Sequence, residues 1–494
     1  MTHSFQRLLI IDIDGLRQDV FHRALSENRV PHLAGLLVGA GGSPVHLDPV
    51  SPAPSITFCA QSTIFTGAHP EAHGIVGNQF FDRFGRRGGG PRFYAFDVGD
   101  TLAYDDAVLT FTGETGLVGQ VLSPDARTIY ERAAEHGLTS LVVYNMVSRG
   151  ATRWIRPSLV DIARFTKGGG LIGMSAAQYD TEMLEKTLAA LRGGARPDLL
   201  TLYFMGLDHT SHHDGPASQL DYLVRIIDPL IARLTGALKS SNMLENTLVT
   251  VVSDHGQIEV QPDDQHSLRL SFPFDREMGY LFDALGLDVH DKPGEAPACD
   301  AVVASNGGLA HVYLRRRDGE WNDQPVFESE VLPVARAFWA AHATGHYAPD
   351  LQGSLAAVLL RDVQSEGWHA NYRALHPDGR ILPVEAFFAS QPNLRVVDAA
   401  RRLERLACPV SGDLLLLSNY ADGFYFGGPT VGVHGGLHPE DSLAVTSFGV
   451  PAASSVSMEQ SNRMRAAVEK TKGAGLPSLA DLVPLLVEIM GWEA

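Results

Sequence analysis

Acidic and imidazole side chains stand where short apolar runs give out: Asp14 in IDIDGLR, Asp208 and His212 in GLDHTSHHDGP, Asp254 and His255 in VVSDHGQ, and His434 in GVHGGLHPED. A hydroxyl, Thr57 in PSITFCAQSTIFTG, joins them. In an open α/β sheet, ligands bind at such strand ends. Singly each pattern is weak, since an Asp-Gly pair ordinarily marks a turn. Together, three imidazoles and three carboxylates make the mixed nitrogen and oxygen set that suits Zn²⁺ and related divalent ions. Rivals stand close by. Asp12 precedes Asp14 by two positions, so on a strand both point to one face; His209 and His213 flank His212, and His438 follows His434.

Strands and helices must bring these residues together. LLIID, SLVVYNM, DLLTLYF, TLVTVVSD, LAAVLLR and DLLLLS are continuous apolar runs, which predicts strands covered on both faces and hence a mainly parallel sheet. Helical spacing lies between several of them, as in ARTIYERAAEHG with Gly137 placed to end it, from Gln219 to Lys239, and in the closing LPSLADLVPLLVEIMGW with Ser478 as N-cap. Two regions break the rhythm: a loop-rich excursion from Arg83 to Asp125, and a mixed stretch from Asp263 onward. The expected organisation is an α/β core in residues 1–262 and 411–494, with 263–410 as a cap-like insertion that includes possible core strands.

Bulk properties narrow the partners. A chain of 494 residues with 45% hydrophobic and 19% charged content buries a large core. Its formal charge of -18, with no long Lys/Arg stripe, argues against binding nucleic acid or an anionic membrane; a phosphorylated substrate would need local positive charge, which bound metal ions supply. LLIIDID meets an acid too soon for a signal peptide or membrane span. Cys59, Cys299 and Cys408 lack disulfide or zinc-finger spacing. These features predict a cytoplasmic protein, and none of them bears on oligomeric state.

The stretches DIDGLRQD, PSITF followed by TGAHPEAHGIVGN, DHTSHHDGP, SDHG and GVHGG resemble, in kind and order, the type I phosphodiesterase and nucleotide pyrophosphatase branch of the alkaline phosphatase superfamily. The resemblance implies an alkaline phosphatase-like sandwich with a mainly parallel central sheet and an inserted cap. It implies two divalent metal ions, zinc by the histidine content, with manganese or iron also suited to such ligands. Asp208, His212 and His434 would hold one ion; Asp14, Asp254 and His255 would hold the other, with the Thr57 hydroxyl beside it. Thr57 would be the nucleophile, passing through a phosphothreonine, and the substrate a small phosphodiester or nucleotide pyrophosphate. Phosphonoacetate-type hydrolysis, phosphomonoester hydrolysis and a metal-retaining phospho-ligand binding protein are the alternatives. The family pattern selects Asp14 over Asp12, His212 over its neighbours, and His434, bracketed by Gly432 and Gly435, over His438. It makes Cys59 a small core residue rather than a nucleophile, His69 and His73 parts of a structural turn, and His311 a core histidine. Arg149 and Arg153 are candidates for charge near a phosphate.

One departure stands out. The branch carries Pro-Asn-His after its Thr-Phe pair, and this chain carries Cys59, Ala60 and Gln61. The Asn that would donate to a phosphoryl oxygen is missing. Gln61 and the backbone N–H of Phe58 are the expected substitutes, and a missing donor of this kind typically costs about 2–4 kcal/mol of transition-state stabilisation.

Overall fold

Alternation along the apolar runs decides how the layers stack. In the strand Arg7–Ile13 (β1), Leu8 and Ile10 enter one core while Leu9, Ile11 and Ile13 enter another, as side chains pointing to opposite faces must. The computed structural model describes residues 5–38, 43–86, 88–96, 104–166, 173–270, 277–292, 294–295, 298–452, 454 and 456–492.

A first sheet of seven strands is built from β1, Val45–His46 (β2), Ser140–Val143 (β3), Arg153–Ile155 (β4), Leu199–Phe204 (β5), Thr247–Val252 (β6) and Thr446–Gly449 (β7). Their order is β2-β7-β6-β1-β5-β3-β4. From β6 to β4 neighbours run parallel, whereas β7 is antiparallel to both β6 and β2. A second sheet of seven strands is antiparallel apart from the pairing of Val289–His290 with Ala301–Asn306. LAAVLLR and DLLLLS, which read like further strands of a parallel sheet, pair with each other here as Leu355–Leu360 and Leu414–Ser418. Their unbroken apolar character has the same cause as in β1. Leu415 and Leu417 face the core shared with the first sheet, and Leu414 and Leu416 face a separate one. The stretch 263–410 therefore contributes most of this second sheet, and Leu414–Ser418, beyond position 410, runs through its interior.

Local signals place the helices. Thr128 closes a capping box on Ile129–Glu135, and Gly137, at φ +71°, follows its end. Ser478 caps the turn that leads into Leu482–Met490, whose third residue is Pro484, where the ring is tolerated. The excursion between Arg83 and Asp125 holds a strand, Arg92–Ala95, and helices Tyr104–Thr110 and Gly116–Val121, while its positions 87 and 97–103 lie outside the described residues. Among the described residues, no helix is long and apolar enough to cross a membrane.

Candidate metal centre

Three adjacent parallel strands end side by side. β6, β1 and β5 are consecutive in the sheet, so Asp254, Asp14 and Asp208, each one to four residues beyond its strand, converge at one edge. Helix α1 (Gly206–Asp214) follows β5 at once, and the four-residue spacing puts Asp208 and His212 on one face of it. Gly15, at φ +68°, turns the chain after Asp14, and a Cβ there would lie 2.5 Å from Asp208 Oδ1. Only glycine fits between two acids drawn this close.

The ligand atoms fall into two groups, Asp208, His212 and His434, and Asp14, Asp254 and His255, each with its candidate atoms within 4.8 Å of one another. His212 Nδ1 lies 2.7 Å from Gly432 O, His255 Nδ1 3.0 Å from Gly256 O, and His434 Nδ1 3.1 Å from Ser55 O. An imidazole that donates Nδ1–H to a carbonyl presents its Nε2 lone pair, the tautomer of a metal ligand. His212 Nε2 and His434 Nε2 then face each other at 3.2 Å. His255 Nε2 lies 3.5 Å from Asp14 Oδ1 and 3.4 Å from Asp254 Oδ2, and neither of those oxygens has a hydrogen-bond partner among the described residues. The His255 and His434 rings stack at 3.6 Å, joining the two groups.

Electrostatics ask for cations here. Burial, then Asp254 and Asp208, push the Asp14 carboxyl well above its ordinary range. Burial also works to raise Asp208, but His212, His434 and His255 outweigh it and leave that carboxyl well below its usual range. Burial and His255 lower His434, so it resists taking a proton. Among the described residues no lysine or arginine pairs with Asp14, Asp208 or Asp254. Effective desolvation costs several kcal/mol per buried ion, and lone pairs facing lone pairs add to it. Each group offers imidazole nitrogen and carboxylate oxygen, a donor set that suits divalent metal ions.

Thr57 is the first residue of the helix Thr57–Thr66, which has no side-chain cap at Ile56. Its Oγ1 lies 3.1 Å from His255 Nε2, and the dipole of the helix start favours negative charge there. Phe58 and Gln61 do not stand ready as oxyanion donors. Phe58 N–H donates to Asn78 Oδ1 at 2.8 Å. Gln61 is wholly buried one turn deeper, donating to Asp12 at 3.3 Å and accepting from Asn145 at 2.8 Å. The cause is Asp12: a buried carboxylate on β1 needs donors, and Gln61 and Asn145 supply them.

The other residues weighed from sequence lie elsewhere. His209 and His213 pack on each other, and His438 Nδ1 accepts from Glu440 N–H. His73 bonds Thr63 and Ile75, and His311 bonds Val76 O and Gly412 N–H. Cys59 is buried as a free thiol. Arg149 is spent on the carbonyls of Leu122, Ser123 and Ala126 and on Glu131, and Arg153 is exposed on the edge strand β4. Sequence reading missed Tyr203, whose hydroxyl donates to Asp14 Oδ2, Gln257, which donates to Asp208, and Asn145.

The model of the type I phosphodiesterase / nucleotide pyrophosphatase family matches residues 8–418. The chain belongs to this family. Among relatives, a pyrophosphatase/phosphodiesterase of Schizosaccharomyces pombe, described as uncharacterized, is 27% identical over 52% of this chain and 46% of its own length. A bis(5'-adenosyl)-triphosphatase of Pongo abelii is 23% identical over 52% of this chain and 49% of its own. The match thus spans about half the length of these family members. The murine ectonucleotide pyrophosphatase/phosphodiesterase 5, in an inactive threonine-to-alanine form complexed with AMP, shares the fold at a TM-score of 0.54 and 14% identity, covering 99% of this chain and 96% of that one.

Proposed function

We propose that this protein hydrolyses phosphodiester or pyrophosphate bonds of a nucleotide or similar small molecule, with two divalent ions and Thr57 as nucleophile. The observation that carries this reading is the set of three Nε2 lone pairs and three carboxylates gathered around a hydroxyl 3.1 Å from His255 Nε2. Asp208, His212 and His434 would hold one ion, and Asp14, Asp254 and His255 the other, with Thr57 Oγ1 beside it. Bound there, divalent ions would favour the alkoxide form of Thr57 and offset charge on the phosphoryl and leaving oxygens.

The chain's own residues supply the rest. Gly256 O, Gly432 O and Ser55 O fix the three imidazoles in one tautomer. The helix start orients the phosphoryl group over Thr57 Oγ1. The Thr57 hydroxyl proton passes to solvent, a Thr57 Oγ1–P bond forms as the bond to the leaving oxygen breaks, and that oxygen takes a proton from solvent; water then cleaves the phosphothreonine, its oxygen joining phosphorus and a proton returning to Thr57 Oγ1. The AMP complex of the murine relative and the nucleotide named for the Pongo abelii relative support a nucleotide substrate. With Ala60 in place of the family's Asn and Phe58 N–H held by Asn78, stabilisation of the phosphoryl oxygens rests chiefly on the ions and the helix start.

The test is a screen of the metal-loaded protein against bis-p-nitrophenyl phosphate, p-nitrophenyl phosphate, a nucleotide-sugar and phosphonoacetate. Diester or pyrophosphate turnover that disappears with a chelator is the expected result. Turnover of the monoester or phosphonate alone would overturn the substrate class, and metal binding without any turnover would make the protein a binder of phosphorylated ligands.

A further inference from the structure

Away from the candidate centre, the first sheet carries another set of metal-type side chains. His46 ends the edge strand β2, and Asp48 follows two positions on, with Leu47 between them turned into the core. His22 comes from the helix Gln18–Ser26, whose buried face is Val20, Phe21 and Ala24. We propose that His22, His46 and Asp48 form a separate binding site for a divalent transition-metal ion of the zinc type.

The candidate ligand atoms of all three lie within 4.8 Å of one another. His22 Nε2 is 3.0 Å from Asp48 Oδ1, and the His22 and His46 rings meet edge to face at 4.6 Å. A His–Asp pair alone would be an ordinary rim contact worth little. His46 changes that reading: its Nδ1 is buried and has no hydrogen-bond partner among the described residues, a state that costs free energy unless something accepts the lone pair. Burial and neighbouring His22 lower the His46 pKa, which keeps the imidazole neutral and able to ligate. Two imidazole nitrogens and one carboxylate oxygen select zinc-type ions over calcium or magnesium. The side chains of His22 and Asp48 are 35% and 36% exposed, which leaves an entry path and room for a water as fourth ligand. Lys472 also acts to lower the His46 pKa, while Asp48 acts to raise it; Lys472 pairs with Glu469 at 3.5 Å, and its charge weakens this site relative to the buried centre. A bound ion would tie the helix after the Asp14 turn to the sheet edge. The proposal does not depend on the hydrolytic reading, since it uses none of the same residues.

The experiment is equilibrium dialysis of the full chain against zinc, followed by elemental analysis, for the wild type, His46→Ala, Asp48→Asn and Asp208→Ala. The expected result is one equivalent fewer in His46→Ala than in the wild type, weakened retention in Asp48→Asn, and unchanged phosphoester turnover in both. Asp208→Ala should lose metal from the other centre and retain this equivalent, so that failure of one site is separable from failure of the other. Cobalt substitution gives a second readout: His46→Ala should lose part of the visible d–d absorption. Equal zinc content in the wild type and His46→Ala would overturn the proposal, as would loss of turnover in the folded variant.

Discussion

Thr57 carries the heaviest chemical burden assigned to any residue. Thr57→Ala should lower kcat for diester hydrolysis by about a thousandfold or more while bound metal is retained, since removing a nucleophile leaves only binding and electrostatics; steady-state kinetics with elemental analysis check this, and near-normal turnover would exclude the phosphothreonine. Beneath the site, Asp12 depends on Asn145 Nδ2 at 3.0 Å and Gln61 at 3.3 Å. Asn145→Leu should cost roughly 2–3 kcal/mol in a urea titration, because it strips a donor from a buried acid. The candidate ligands were legible in the sequence because each ends an apolar run in a recognisable setting. Asn145 and Tyr203 were not. They stand 133 and 189 residues from Asp12 and Asp14, and only the strand order makes them neighbours. Gln61 is a related case: sequence places it one turn from Thr57, but does not show that its amide donates to Asp12.

Strand ends and turns set the geometry of the centre. At Gly15, φ +68° and the 2.5 Å approach to Asp208 together bar a side chain, and the Gly15 N–H holds Asp254 Oδ1 at 3.1 Å. Gly15→Ala should therefore lower metal affinity by about ten- to a hundredfold, the usual scale for disturbing groups that orient ligands, measurable by competition with a chromogenic chelator. The buried histidines at the end of the short helix Pro70–His73 and in the strand Leu309–Leu314 give a different test. Burial, aided at His73 by His69, lowers the pKa of His73 and of His311 to about 3, against about 6.5 in an unfolded chain. Between those values the unfolded state binds more protons, so the stability they contribute is present above about pH 6.5 and is lost as pH falls toward 3. Chelator-treated protein should show a falling unfolding midpoint from pH 7 to pH 4.5; a flat profile would contradict it. The helix that Gly137 ends and the one that Ser478 leads into were readable from those terminal residues, whereas the pairing of LAAVLLR with DLLLLS was not, because a run covered on both faces looks the same in a parallel or an antiparallel sheet.

For the whole molecule, a charge of -18 and three buried acids at one sheet edge make bound cations part of the stability as well as of the chemistry. Stripping metal should lower the thermal midpoint, since a ligand present at a hundred times its Kd contributes about 2.7 kcal/mol to the folded state, and restoring zinc should recover it. The family was legible from five short motifs and their order, and the α/β layering from the apolar runs between helical stretches. The second sheet was not, because its strands come from a stretch with no such signposts. The central claim is that the two groups of ligands hold ions that serve Thr57. The most direct measurement is bis-p-nitrophenyl phosphate hydrolysis by chelator-stripped protein as zinc is added back in steps, with the Thr57→Ala variant alongside. Turnover that is absent without metal, returns with zinc in the wild type and stays absent in the variant is the result expected; full turnover by the stripped protein, or equal turnover by the variant, would contradict the account.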